Sequence, residues 1–215
     1  MKRAVGFFIF LIVPLVVFCI TVTAQWELKR YENGIAVYTR TSEVSPIKEV
    51  RIVDTVQSSL AGITALMFDT KNYPNWIYHC AAARTLKVIS PNEEYKYELI
   101  DVPWPFSNRD IVTDFKAIQD SVTKVVTLTS EAMPNYLSDV DGVVRMSHFH
   151  SIYKLTPLGH GKVRVEYELS VDPTGKIPAW LINANIVNGP YQTAIATNKQ
   201  LANYQTLCFS FIREK

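Results

Sequence analysis

The stretch "DVPWPFSNRDIV", residues 101–112, places a tryptophan between two prolines and an Asn-Arg-Asp just before an apolar run. Pro103 and Pro105 each hold φ at about −65° and bias the preceding residue towards extended backbone, so they stiffen the loop around Trp104. The residues on both sides of the loop have the composition of β-strands. We therefore predict a β-hairpin that projects Trp104 from a rigid loop.

Arg109 is predicted to begin the second strand of this hairpin, nearly opposite Asp101 at the end of the first. Strand alternation places Arg109 on the same face as Ile111 and Phe115, where a guanidinium needs an acceptor. We expect Asp101 to pair with Arg109 and Trp104 to pack near one end of a cavity. Alternatively, Arg109 contacts the phosphate or carboxylate of a ligand headgroup, because its geometry suits bidentate contacts.

Strand patterns dominate the chain around the hairpin. The predicted strands are residues 47–56, 93–102, 109–118, 122–132, 143–155 and 162–171. In the last of these, apolar and charged residues alternate strictly, which is typical of a strand with one face on a core and one in water. The intervals between the segments are too short for parallel crossovers, so the predicted sheet is antiparallel.

Two segments have helical periodicity. Residues 58–69 follow this pattern after a serine suited to capping, and residues 177–204 follow it near the C-terminus. Gly189-Pro190 should kink or divide the second helix, because proline removes a hydrogen-bond donor. That helix would cover the apolar face of the sheet. The predicted fold class is therefore α+β, with a curved antiparallel β-sheet wrapped around a long C-terminal α-helix.

Residues 1–24 have the composition of a secretory signal peptide, with Lys2 and Arg3 ahead of an apolar run and small residues before Gln25. We expect cleavage and export to the periplasm or the medium, with an uncleaved N-terminal membrane anchor as the alternative. Residues 25–215 would then form a single domain. Removing Lys2 and Arg3 leaves 20 basic and 20 acidic residues, and this neutral balance gives no electrostatic case for binding nucleic acid.

Three stretches resemble the START (StAR-related lipid-transfer) domain family: "YPNWIYHC" (73–80), "VPWPFSNRDIV" (102–112) and "VDPTGKIPAWLINANIVNGPYQT" (171–193). The sequence departs from the family pattern at Thr174-Gly175, where Gly-Gly is usual. The resemblance implies a helix-grip fold, in which the sheet surrounds the C-terminal helix and an apolar tunnel. It also implies that a lipid or other apolar small molecule is bound there, for transport or sensing.

The fold implied by the resemblance and the strand alternation together indicate which side chains face the tunnel. On the sheet, the predicted wall consists of Tyr97, Leu99, Arg109, Phe115, Val165, Tyr167 and Leu169. On the helix, it consists of Leu181, Ala184, Asn185, Val187 and Tyr191. Such a wall would bind its ligand chiefly by burying apolar surface.

Catalytic patterns are weak in this sequence. His148 and His150 share a strand face, but no spacing supplies the further ligands of a metal site. His79 and Cys80 are adjacent, and adjacent residues seldom direct a thiol and an imidazole at one substrate. The titratable groups that could serve a cyclase or hydrolase inside this fold are Tyr97, Asp101, Arg109 and Arg145. We expect no catalytic residue, cofactor or metal, and keep an enzyme and an exported partner-binding module as alternatives.

Three features leave alternatives open. Cys80 and Cys208 remain after export, and we expect buried free thiols, although an oxidising compartment would permit a bridge between them. The C-terminal segment "QTLCFSFIREK" (205–215) continues the apolar stripe of the helix. It either extends the cover over the sheet or docks transiently on a membrane or a partner. The oligomeric state is left open as well.

Overall fold

The computed structural model describes residues 25–205 and 209–214. In these residues one sheet is formed by β1 (Glu27–Glu32), β2 (Ile35–Arg40), β3 (Glu49–Gln57), β4 (Cys80–Ser90), β5 (Glu93–Ile100), β6 (Asn108–Gln119), β7 (Val126–Ala132), β8 (Val143–Arg145), β9 (His148–Gly159) and β10 (Lys162–Asp172). The spatial order is β1-β2-β3-β10-β9-β7-β6-β5-β4, and β8 pairs with β6. All pairings along this path are antiparallel, as predicted.

The six predicted strand segments all form strands, and one of them is interrupted. The segment 143–155 splits into the short β8, which lies parallel to β6, and the long β9. Sequence patterns did not predict β1, β2 and β4. The α+β helix-grip fold is confirmed.

Three α-helices complete the described part: α1 (Leu60–Phe68), α2 (Ala179–Asn185) and α3 (Asn188–Gln200). Short 3₁₀ turns follow α1 at Thr70–Asn75 and α3 at Leu201–Tyr204. The predicted serine cap is Ser59, whose Oγ accepts a hydrogen bond from the Gly62 N–H at 2.9 Å.

The C-terminal helix is divided, as predicted from Gly189-Pro190. Ile186 and Val187 keep right-handed helical backbone between the end of α2 and the start of α3. Pro190 has no N–H to donate to the carbonyl of Ile186, four residues earlier, so the hydrogen-bond ladder is interrupted at that point. The interruption sets which residues of α3 face the sheet.

Two apolar clusters cover the concave face of the sheet. The larger joins α1 and the 3₁₀ turns to β6, β7 and β9. The smaller joins α3 to β2 and β3 around Tyr191, which is 1% exposed. The Arg30 guanidinium lies 3.4 Å from the centroid of the Tyr191 ring, and the Tyr191 hydroxyl accepts a hydrogen bond from Asn33.

The C-terminal residues 209–214 pack against α1. The Phe211 ring lies 6.2 Å from that of Phe68, and a carboxylate oxygen of Glu214 accepts from the Ala61 N–H at 2.8 Å. A carboxylate is favourable at this end of a helix because of the helix dipole. These residues are not helical, so the predicted continuation of the helical stripe is wrong for them, and they close the core rather than forming an apolar surface.

The predicted signal peptide and Cys208 lie outside the described residues, so export stays a prediction and the choice between free thiols and a Cys80–Cys208 bridge stays open. Within 25–205 and 209–214, the structure has no helix with the length and hydropathy needed to cross a bilayer.

Candidate functional site

Arg109 joins two loops at one end of the sheet. Its side chain is buried and donates to three backbone carbonyls, those of Ser107 at 2.5 Å, Pro173 at 3.2 Å and Thr174 at 3.0 Å. Ser107 ends the loop that carries the Pro-Trp-Pro sequence, and Pro173 and Thr174 belong to the loop between β10 and α2. Arg109 therefore fixes one loop against the other and does not line a cavity.

The predicted Asp101–Arg109 pair is wrong. The register of β5 and β6 places Ile100 opposite Arg109, and Asp101 lies exposed beyond the end of the ladder. The buried ion pair of this region is instead Arg145 with Asp110, whose two oxygens accept at 2.7 and 2.9 Å. Hydrogen bonding to Asp110 raises the pKa of Arg145.

Two exposed tryptophans lie on the elements that Arg109 connects. Trp104, in the loop before β6, is 92% exposed, and Trp180, in the first turn of α2, is 71% exposed. The prediction that Trp104 packs near the end of a cavity is wrong, because the rigid loop projects it into solvent.

A cavity of about 220 Å³ lies between the concave face of the sheet and the first turns of α3. It is larger than the cavity of about 150 Å³ that holds benzene in an engineered protein. The lining residues are Met67, Tyr73, Trp76, Ile77, Tyr78, Glu98, Ile100, Ile111, Phe115, Ser130, Met146, Phe149, Ser151, Tyr153, Tyr167, Leu169, Gly189, Pro190 and Thr193. Aromatic and aliphatic side chains predominate, as in sites for apolar ligands.

Four of the predicted wall residues lie at cavities. Phe115, Tyr167 and Leu169 line the main cavity. Val165 lines a smaller pocket of about 30 Å³, which shares Tyr167 with the main cavity. All four belong to β6 and β10, where the sequence alternation indicated the concave face.

Tyr97 and Leu99 lie on the opposite face of β5 and do not line the cavity. Leu99 is opposite Asp110 in the register, and burial, together with the nearby Asp110, raises the pKa of Tyr97. The convex face is covered here by the segment before β8, where the Tyr136 ring packs 5.0 Å from that of Tyr95. Tyrosines can therefore be buried on the convex side, and Glu94, Lys96 and Glu98 of β5 face inward.

The predicted wall residues of the C-terminal helix also lie away from the cavity. Ala184 and Asn185 are exposed, Leu181 does not line it, and Val187 packs with Tyr191 in the smaller apolar cluster. Because that cluster fixes the rotation of α3, the helix presents Gly189, Pro190 and Thr193 to the cavity instead.

Residues 22–206 match the START domain family. The chain belongs to the START domain family. It is similar to an uncharacterised protein of Pseudomonas aeruginosa, with 32% identity over 79% of this chain and 83% of that protein. It is also similar to the mouse phosphatidylcholine transfer protein, with 25% identity over 77% of this chain and 78% of that protein. A crystal structure of a STAR-related lipid transfer protein from Xanthomonas axonopodis superimposes with a TM-score of 0.77 and 32% identity, covering 82% of this chain and 98% of that one.

The START domain buries a lysine beneath the cavity. Lys96 Nζ donates to the Met67 carbonyl at 2.6 Å and to the Tyr73 hydroxyl at 2.5 Å, and lies 3.3 Å from a Glu94 oxygen. It also lies 3.3 Å from the centroid of the Phe115 ring. Desolvation lowers the pKa of Lys96 to about 8, against the attraction of Glu94.

Glu98 is the one carboxyl side chain among the residues that line this cavity. Within the described part of the chain it has no hydrogen bond or ion pair. Desolvation raises the pKa of Glu98 to about 6, and the nearby Lys96 opposes this rise. Sequence analysis missed Glu98, although opposite charges at Glu94, Lys96 and Glu98 on one strand face could have indicated a buried network.

The other candidates for chemistry lie elsewhere in the START domain. Burial raises the pKa of the Cys80 thiol to about 12, so the thiolate that a nucleophile requires is not formed at neutral pH. His148 Nε2 lies 2.9 Å from Ser170 Oγ, and His150 contacts Glu131. Of the four titratable residues considered for catalysis, none lines the cavity in the described structure.

Replacing the buried Arg109 by leucine should remove the donor of three backbone carbonyls that join two loops, and we expect a loss of about 3 kcal/mol in the free energy of unfolding. Asp101→Asn is the matched control, because Asp101 is exposed and does not touch Arg109, and it should change stability by less than about 0.5 kcal/mol. Urea unfolding followed by circular dichroism measures both. Equal losses of unfolding free energy in the two variants would indicate that Asp101 and Arg109 do form a stabilising pair.

The ionisation of Glu98 should make the free energy of unfolding depend on pH. Its pKa is about 6 in the folded protein against a usual 4.5, so protonated Glu98 favours folding and this contribution is lost as pH rises through 6. Between about pH 4.5 and pH 7.5 the wild type should lose about 2 kcal/mol relative to Glu98→Gln, which cannot ionise. Unfolding curves for both proteins across that range test this, and parallel pH profiles would contradict it.

Proposed function

We propose that this START domain binds a lipid or another apolar small molecule in the cavity beneath α3, for transport or sensing, and performs no chemistry on it. The observation that carries the proposal is a cavity of about 220 Å³ walled by aromatic and aliphatic side chains. Burial of an apolar ligand in such a site contributes about 25 cal/mol per Å² before ordering costs.

The relatives support a lipid-transfer function. The Xanthomonas structure is named a STAR-related lipid transfer protein, and the mouse relative is named for phosphatidylcholine transfer. In both comparisons the similarity extends over most of the two chains.

In this proposal the gate is formed by Trp76, Ile77 and Tyr78. They line the cavity on one side and an open surface recess of about 240 Å³ on the other. The Tyr78 N–H donates to Thr193 Oγ1 of α3 at 3.1 Å. A methyl group at Gly189 would lie 3.3 Å from the Tyr78 ring, so glycine allows α3 to close on this segment. Breaking these few contacts would open the cavity to the recess.

The two exposed tryptophans provide a membrane contact in this proposal. Indole rings favour the membrane–water interface, where an apolar ring can be buried while its N–H stays hydrated. Arg109 holds the loop with Trp104 against the loop that leads to Trp180. The two rings would therefore insert together.

Export remains part of the proposal. The basic residues, apolar run and small residues of 1–24 support cleavage of a signal peptide, with a retained membrane anchor as the alternative. A cleaved protein would meet its ligand in the periplasm or outside the cell.

Filling the cavity should abolish uptake. We expect Leu169→Trp to block binding of a fluorescent fatty-acyl probe, because Leu169 lines the cavity. Glu168→Trp is the matched control, since the neighbouring side chain faces away from the cavity and pairs with Arg51. Probe titration of both variants, with circular dichroism to check folding, makes the measurement. Unchanged uptake by folded Leu169→Trp would contradict the proposed site.

Removing both exposed indoles should weaken membrane contact. We expect the double change Trp104→Ala and Trp180→Ala to reduce binding to lipid vesicles at least about tenfold, without loss of stability. Tyr31→Ala is the control, because Tyr31 is an aromatic residue on β1 that is 71% exposed. Vesicle co-sedimentation measures the effect, and equal binding by all three proteins would exclude the tryptophans as the contact.

A further inference from the structure

The described wall of the cavity has an acidic side chain and no basic one. No lysine or arginine is among the described residues that line it, and Glu98 is its one carboxyl group. The nearest buried cation is Lys96, and its ammonium group is already occupied by Met67, Tyr73 and Glu94. A ligand entering the cavity therefore meets an acidic group and no available cation.

Two polar groups of the wall have no partner in the described part of the chain. Glu98 accepts no hydrogen bond, and it is only partly buried because it faces the cavity. The indole N–H of Trp76 is buried and has no acceptor, although Trp76 is 4% exposed. Buried polar groups are normally hydrogen-bonded, and an unmatched one destabilises the protein. A ligand that carries a hydrogen-bond donor would give Glu98 the partner it lacks.

We propose that the polar end of the ligand held in this cavity is a hydrogen-bond donor without negative charge, namely a hydroxyl or an amine. This inference rests on the proposed function and specifies its ligand. A hydroxyl or ammonium group donates to Glu98. The rings of Phe115, Tyr153 and Tyr167 surround the same space and suit the apolar remainder or a cation.

An anionic headgroup has the opposite chemistry. A phosphate or carboxylate buried beside Glu98 would bring two negative charges together where the described wall offers no cation, and burial of unpaired charge is strongly unfavourable. The cavity therefore disfavours a ligand whose polar end carries a net negative charge.

The test uses four single-chain ligands with the same alkyl chain and a different head: the alcohol, the amine, the carboxylate and the phosphate monoester. Calorimetric titration into residues 25–215 at about neutral pH should show the alcohol and the amine binding at least about tenfold more tightly than the two anions. Equal or tighter binding of an anion would overturn the inference and leave the proposed function standing. Binding of none of the four would overturn both.

The variant Glu98→Gln tests whether Glu98 causes the preference for the alcohol and the amine over the two anions. In Glu98→Gln we expect the amine to lose about tenfold in affinity and the discrimination against the carboxylate to fall by a similar factor. Glu166→Gln is the matched control, because Glu166 pairs with Arg164 on the outer face of β10. Unchanged selectivity in folded Glu98→Gln would overturn the role of Glu98. The comparison of ligands on the wild type is independent of whether this variant folds.

Discussion

The interruption of the C-terminal helix at Pro190 is the constraint on which the cavity depends. Because Pro190 cannot donate to the carbonyl of Ile186, the hydrogen-bond ladder is interrupted and α3 begins as a separate helix. Tyr191 then fixes the rotation of α3 by packing in the cluster with β2 and β3. This leaves Gly189, Pro190 and Thr193, which are small or compact, above the centre of the concave face. The space beneath them is not filled by protein, and the ligand is proposed to occupy it.

The elements whose residues fit the ordinary patterns could be predicted from the sequence. Alternation in β10 placed Val165, Tyr167 and Leu169 on the concave face, and the proline predicted the division of the helix. These inferences depend on local geometry alone. Phe115 on β6 could be placed for the same reason, and the residues that carried the family resemblance indicated the helix-grip fold.

The remaining features depend on contacts between distant segments. In β5 Tyr97 and Leu99 face outward and Lys96 and Glu98 face inward, because Met67 and Tyr73 supply partners for the lysine and the segment before β8 packs on Tyr95 on the convex side. Arg109 donates to backbone carbonyls of another loop. Because every residue has a backbone carbonyl, the residue types of a sequence do not indicate which carbonyl accepts the bond. The alternation of charges at Glu94, Lys96 and Glu98 could indicate a buried network, but the position of Glu98 in the cavity wall depends on these distant contacts.

The central claim is that the cavity holds an apolar ligand, and native mass spectrometry of the protein purified without detergent tests it most directly. The account predicts an additional mass in the range of a single lipid, released on denaturation, with a hydroxyl or amine as its polar group. Protein that is empty and takes up none of a broad panel of alcohols, amines, fatty acids and phospholipids would contradict it.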